Sequence, residues 1–221
     1  MLPFQGRDVA NRLLVGCLIN FIPMVGQIFL CGYILRYTRK ILRGGDADLP
    51  PWDEWGRLFV EGSWASVVVS AFILVPFTVL LVMAAPAFVA VLSAISEGHS
   101  DAAVDIFLRL VLGFAIGLLV LLACSLPAPI ALCRFAVTDR VGDALNPAVW
   151  GGLIARAPLA FLGNWLGVFG SAVIVTMGLA MLNIIPVIGT LAFFAGGAVI
   201  GVAWGLCTQI VFARFVARHA R

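Results

Sequence analysis

Long blocks of apolar residues alternate along this chain with short patches of charge. A helix that crosses a bilayer needs about 20 largely apolar residues, within a range of about 17–25. Six blocks approach that length. The first, Val9–Ile22, is short; the second, Met24–Leu42, follows Pro23 directly. After a polar stretch comes Leu58–Ser96, too long for one upright helix, with Leu58–Met83 as its main span and Pro76 and Pro86 dividing it into a span and a second piece. Val104–Leu126 leads through Leu126-Pro127-Ala128-Pro129 into a cytoplasmic extension. Pro158–Ile185 and Val187–Val216 are separated only by a tight turn. The pattern predicts one all-α membrane domain over residues 1–221, polytopic, with about six transmembrane helices. Amphipathic interfacial segments are expected on its cytoplasmic side.

Composition agrees. The chain is 62% hydrophobic and 11% charged, against about 45–50% apolar and about 25% charged in soluble domains. One soluble core could not hide that much apolar surface and still present a polar exterior. Charge placement orients the chain. Thirteen of the 14 basic residues fall in regions that share one side of the six-span scheme, and only Arg109 falls near the other. The outer loop holds Glu97, Asp101 and Asp105. The positive-inside rule then puts both termini in the cytoplasm, in the plasma membrane of a prokaryotic cell. Met1-Leu2-Pro3-Phe4 lacks the basic start and cleavage site of a signal peptide, so the first apolar block is expected to stay in the mature chain.

An internal echo links two helix turns. Asn20-Phe21-Ile22-Pro23-Met24-Val25-Gly26 and Asn183-Ile184-Ile185-Pro186-Val187-Ile188-Gly189 share the pattern N-x-I-P-x-x-G. Both fall at the predicted outer turn of an in-out-in pair. Pro suits the first turn of the second helix, Gly permits close helix approach, and the Asn amide can serve carbonyls freed at the preceding helix end. The echo is either a shared hairpin solution or a pseudo-symmetric pair lining a path, as in transporters.

On the inner side, Arg36, Arg39, Lys40 and Arg43 crowd one helix end, where cations complement the dipole, and Gly44-Gly45 stops the helix. Pro50-Pro51-Trp52-Asp53-Glu54-Trp55 follows. Trp52 and Trp55 read as interfacial indoles with their N–H groups toward water. The cluster is an anchor or a docking surface for anionic lipid headgroups or a partner protein. Glu61 is either the i,i+4 partner of Arg57 or an intramembrane ion-handling acid. Asp105 and Arg109 read as a helix pair. Asn146-Pro147 predicts a capped, surface-lying helix reaching Arg156. Gly197, Gly201 and Gly205 form GxxxG steps for helix packing, against the neighbouring helix or another chain.

The run from Asn11 to Gly62 joins N-x-I-P-x-x-G, Gly-Tyr-x-x-Arg and Gly-Gly-x-x-x-Leu-Pro-Pro-Trp-x-x-Trp-Gly. It resembles a prokaryotic membrane family known as domain of unknown function family 4013. The Pro127–Trp165 region and the Asn183 motif fit that family too. The family is similar to a wider set of six-helix membrane domains, some fused to glycerophosphodiester phosphodiesterases. The resemblance implies a fold and no catalytic residue.

No catalytic, cofactor or metal site emerges. His99 and His219 lie on opposite sides and cannot share a metal or serve a Ser-His-Asp triad. Cys17, Cys31, Cys124, Cys133 and Cys207 contain no CxxC pair and read as apolar packing residues. Asp46, Asp48, Asp53 and Glu54 could hold a divalent cation in principle, though a solvated loop explains them. Nucleic-acid binding is excluded by the small net charge of +3 and the lack of a basic surface interleaved with aromatics. The expected function is that of a non-enzymatic accessory, scaffold or self-assembling membrane subunit, contacting lipids, copies of itself or a larger complex. The alternative is a transporter or channel for a small solute or lipid.

Overall fold

The computed structural model describes residues 8–45, 48–96, 100–181 and 186–219. Among them the elements are all helical: α1 Val9–Asn20, α2 Val25–Leu42, α3 Trp55–Ser96, α4 Ser100–Ser125, α5 Ala128–Thr138, α6 Val141–Leu145, α7 Pro147–Arg156, α8 Pro158–Met181 and α9 Pro186–His219. Four stretches are long and apolar enough to cross a membrane, in α3, in α4 with α5, in α8 and in α9. The chain is thus an all-helical membrane protein. α1, with 12 residues, falls short of that length, and α2, which ends in a basic run, is not among the four.

The chain forms two compact units, Met1–Val68 with Pro129–Arg221, and Val69–Ala128. In the first, α9 is the central helix and packs against α1, α2, α7 and α8. Its core joins Cys17 of α1, Leu30, Tyr33 and Tyr37 of α2, Leu49, Leu58 of α3, and Val202, Leu206 and Ile210 of α9. Two backbone crossings set the spacing. A Cβ on Gly26 would collide with the Ile19 carbonyl, which closes α1 onto α2. A Cβ on Gly32 would collide with the Leu58 carbonyl and one on Gly62 with the Ile28 carbonyl, so α2 and α3 cross glycine against backbone. Such approaches let dispersion and main-chain contacts hold helices where lipid offers no hydrophobic drive.

The second unit holds the later part of α3 and all of α4. Its described side chains are mostly apolar and exposed, as suits contact with lipid. Leu80 fills the space that a side chain at position 117 would need, so Gly117 is what lets it seat.

One expectation is corrected here. α3 is helical without a break through Pro76 and Pro86, where the prolines pointed to a span and a separate piece. Breaking the helix in an apolar solvent would free several backbone groups at each Pro, whereas continuing frees about one carbonyl that local adjustment can re-satisfy, so a membrane helix passes through Pro. The extension after Pro127 is the helix α5, buried at Pro129–Cys133, Phe135 and Ala136, as suits a helix with so wide an apolar surface. The capped helix at Asn146 is present as α7: the Asn146 side chain accepts from the Ala148 N–H at 3.0 Å, with Pro147 at the first position.

Candidate functional site: a charged cleft at the end of α2

α2 ends as its sequence directs. Gly44 adopts φ +77°, its N–H bonds to the Ile41 carbonyl, and the Gly45 N–H bonds to the Lys40 carbonyl at 3.0 Å. Those two bonds make a Schellman cap, for which glycine in the left-handed region is the favoured residue. The cap reverses the chain and lays the Leu49–Trp52 segment back along α1 and α2. Tyr33 donates to the Pro50 carbonyl at 2.9 Å, Arg12 donates to the Leu49 carbonyl, and Lys40 donates to the Asp48 carbonyl at 3.1 Å.

Trp52 departs from the expected water-facing indole. It stacks on Tyr33 at 3.9 Å and 5°, presses against Gly16 and donates its N–H to the Arg12 carbonyl at 2.8 Å. The Arg12 carbonyl lies in the first turns of α1, and Pro51 removes a competing donor beside the indole, so the ring is a brace across α1 and α2. Trp55 remains 45% exposed and joins the aromatic row through Trp52 and Phe29.

Around this brace lies an open cleft of about 500 Å³, lined by Arg36, Arg39, Lys40, Arg43, Arg57, Asp53, Glu54 and Glu61 among others. Its ion pairs form one alternating chain. Asp53 meets Arg36 at 2.6 Å, and Arg36 meets Glu54 at 3.2 Å. Glu54 meets Arg57 at 3.6 Å, and Arg57 meets Glu61 at 3.0 Å. Glu61 meets Arg39 at 3.2 Å, and Arg39 ends the chain on Asp139. Arg39 also donates to the Ala136 carbonyl at 3.0 Å, which ties α2 to α5. Two carboxylates of this chain sit on unusual backbone, Glu54 at φ 51° and Asp139 at φ 54°. Non-glycine residues adopt that region rarely and need surrounding structure to hold them; here the arginines provide it.

Arg36, Arg39 and Arg57 are therefore committed to carboxylates. Lys40 and Arg43 are not: among the described residues neither has a carboxylate partner. Sequence spacing could find the Arg57–Glu61 pair but not the reach of Arg39 to Asp139, 100 residues away. A second opening of about 500 Å³, missed as a site in the sequence, lies at the basic end of α9 and is lined by Asn164, Arg214, Arg218 and His219.

The other sequence candidates are dispersed. Asn20 is bonded by the Gln27 side chain and so serves its own hairpin rather than free carbonyls. Pro23 lies in the turn and Gly26 in the α1–α2 contact. Asn183 and His99 lie outside the described residues, as do Asp46 and the side chains of Asp105 and Arg109. Pro186 and Gly189 fall in the first turns of α9. Gly205 meets Ile34 of α2, while Gly197 and Gly201 meet nothing and border a gap of about 240 Å³ between α8 and α9. The five cysteines are free, and no group of three or more metal-binding side chains is placed to hold an ion among the described residues.

The family model described as a protein of unknown function, DUF4013, matches residues 15–184. The chain belongs to DUF4013. The match begins inside α1 of this DUF4013 protein, takes in Trp52 and the cleft, and stops inside its second N-x-I-P-x-x-G pattern. No curated protein and no solved structure matches the chain.

Proposed function

We propose that this DUF4013 protein is a non-enzymatic subunit of the prokaryotic plasma membrane that docks anionic phospholipid headgroups in the α2 cleft. On this reading both termini and the cleft face the cytoplasm, and the lipid-bearing module serves as an accessory or scaffold within a larger assembly. The observation that carries it is the division of cations in the cleft. Three arginines are neutralised within the fold, whereas Lys40 and Arg43 line the cleft without a carboxylate partner among the described residues. The four carboxylates of the ion-pair chain are each bound to an arginine, although Glu61 Oε2 is buried without a hydrogen-bond partner; this engagement supports binding over chemistry.

A basic side chain at an anionic membrane surface contributes about 1 kcal/mol. Lys40→Gln with Arg43→Gln should therefore weaken headgroup binding by roughly thirtyfold, about 2 kcal/mol in all, without touching the ion-pair chain. The test is native mass spectrometry of the protein released from nanodiscs holding equal phosphatidylglycerol and phosphatidylcholine. Selective retention of phosphatidylglycerol that is lost in the double variant supports the proposal. Equal retention of both lipids, or selectivity unchanged by the substitutions, rejects it. A lipid or small-solute path is the second reading, favoured by the gap between α8 and α9 beside Trp204.

A further inference from the structure

The short hairpin does not have the length for the place its sequence pattern suggests. α1 has 12 residues, about 18 Å at 1.5 Å per residue, whereas the hydrocarbon core is about 30 Å thick. α2 has 18 residues, but Arg36, Arg39 and Lys40 occupy its final turns. Its apolar stem, residues 25–35, rises about 16 Å. The open ends of both helices are tied to the charged layer. Arg12 bonds to the Leu49 carbonyl and receives the Trp52 N–H on its own, and Arg36 is held by Asp53 and Glu54.

The closed end is apolar and exposed. Phe21 is 55% exposed, Ile22 52% and Met24 81%, and the sequence carries no Asp, Glu, Lys, Arg or His between Arg12 and Arg36. The two strongly polar side chains near the turn, Asn20 and Gln27, are bonded to each other. That is the arrangement hydrocarbon demands of amides and water does not. α8 and α9 contrast with it: their 24 and 34 residues reach about 36 and 51 Å.

We infer that the α1–α2 hairpin is re-entrant. It enters the bilayer from the charged face, turns among acyl chains near the midplane and leaves by the same face. Phe21, Ile22 and Met24 form its contact with the lipid interior. The chain then crosses the membrane four times, in α3, α4 with α5, α8 and α9. An even number of crossings keeps both termini on one side, so the positive-inside assignment survives while the first turn moves from the outer surface to mid-depth.

The test places single cysteines at Met24 and Asp48 in a full-length variant whose five cysteines are replaced by alanine. In sealed vesicles of both orientations, a membrane-impermeant maleimide should label position 48 from the charged face and position 24 from neither. A spin label at 24 should relax with oxygen and not with a water-soluble nickel chelate. Labelling of position 24 from the opposite face would restore the full span, and labelling from the charged face would put the hairpin on the surface; either overturns the inference. Should the cysteine-free background not fold, the unaltered chain in nanodiscs answers the same question. Hydroxyl radicals that oxidise Met24 in the chain unfolded in denaturant should spare it in the intact protein, and equal oxidation overturns the placement.

Discussion

The α1–α2 and α8–α9 hairpins carry the same N-x-I-P-x-x-G pattern at their turns, yet α8 has twice the residues of α1. They also differ in how they are held. In the short pair the turn side of α2 touches α1 backbone to backbone at Gly26, and the open side is clamped by Trp52 against Gly16 and Tyr33. In the long pair Trp204 donates to the Val168 carbonyl at 2.9 Å and meets Phe169 edge-on. Around them Gly163, Gly167, Gly170, Gly197 and Gly201 leave open space. A turn motif thus specifies a reversal of direction and nothing about depth or tightness. Depth comes from where charge interrupts the apolar run, and tightness from which glycines face a backbone.

The comparison can be broken most severely at the clamp. Trp52→Ala removes the stack, the Arg12 bond and the packing on α1 together, and should cost about 3–5 kcal/mol, read as a large fall in the thermal unfolding midpoint in detergent. Gly26→Leu forces a side chain into the Ile19 carbonyl and should destabilise by about 1–3 kcal/mol or more; an unchanged midpoint would mean that α1 is not packed as described. Glu61→Gln removes the shared partner of Arg39 and Arg57 and is expected to cost about 1.5–3 kcal/mol, with the loss shrinking in high salt only for its exposed Arg57 half. In the long hairpin Trp204→Phe keeps the aromatic contact and drops one hydrogen bond, about 1 kcal/mol. Gly163→Ala on α8 should stay within about 0.5 kcal/mol. If the α8 substitution proved as damaging as Gly26→Leu, the two hairpins would be equally tight and the contrast would fall.

Much of the cleft was readable in order along the chain: the basic end of α2, the Gly44-Gly45 stop, the Pro-Pro-Trp-x-x-Trp return and the i,i+4 spacing of Arg57 and Glu61 are all local. What local reading could not apportion was their use. Arg36 and Arg39 look no different from Lys40 and Arg43 in sequence, but Asp53, Glu54, Glu61 and Asp139 engage only the first two, because side-chain reach depends on which helix face meets which loop. Trp52 suffered the same ambiguity, since an indole at a helix end suits both an interface and a slot, and only the proximity of Gly16 and Tyr33 makes the slot.

By itself the sequence determined the solvent of this protein and its helical class, since those follow from summed transfer free energies and a backbone that must bond to itself in lipid. The burial of α5 and the seating of the tryptophan brace were decided by tertiary structure. So was the division, among the described residues, between Arg36 and Arg39, which meet carboxylates, and Lys40 and Arg43, which do not. These depend on contacts between residues up to 100 positions apart, where small geometric differences decide which of several chemically equal partners is within reach.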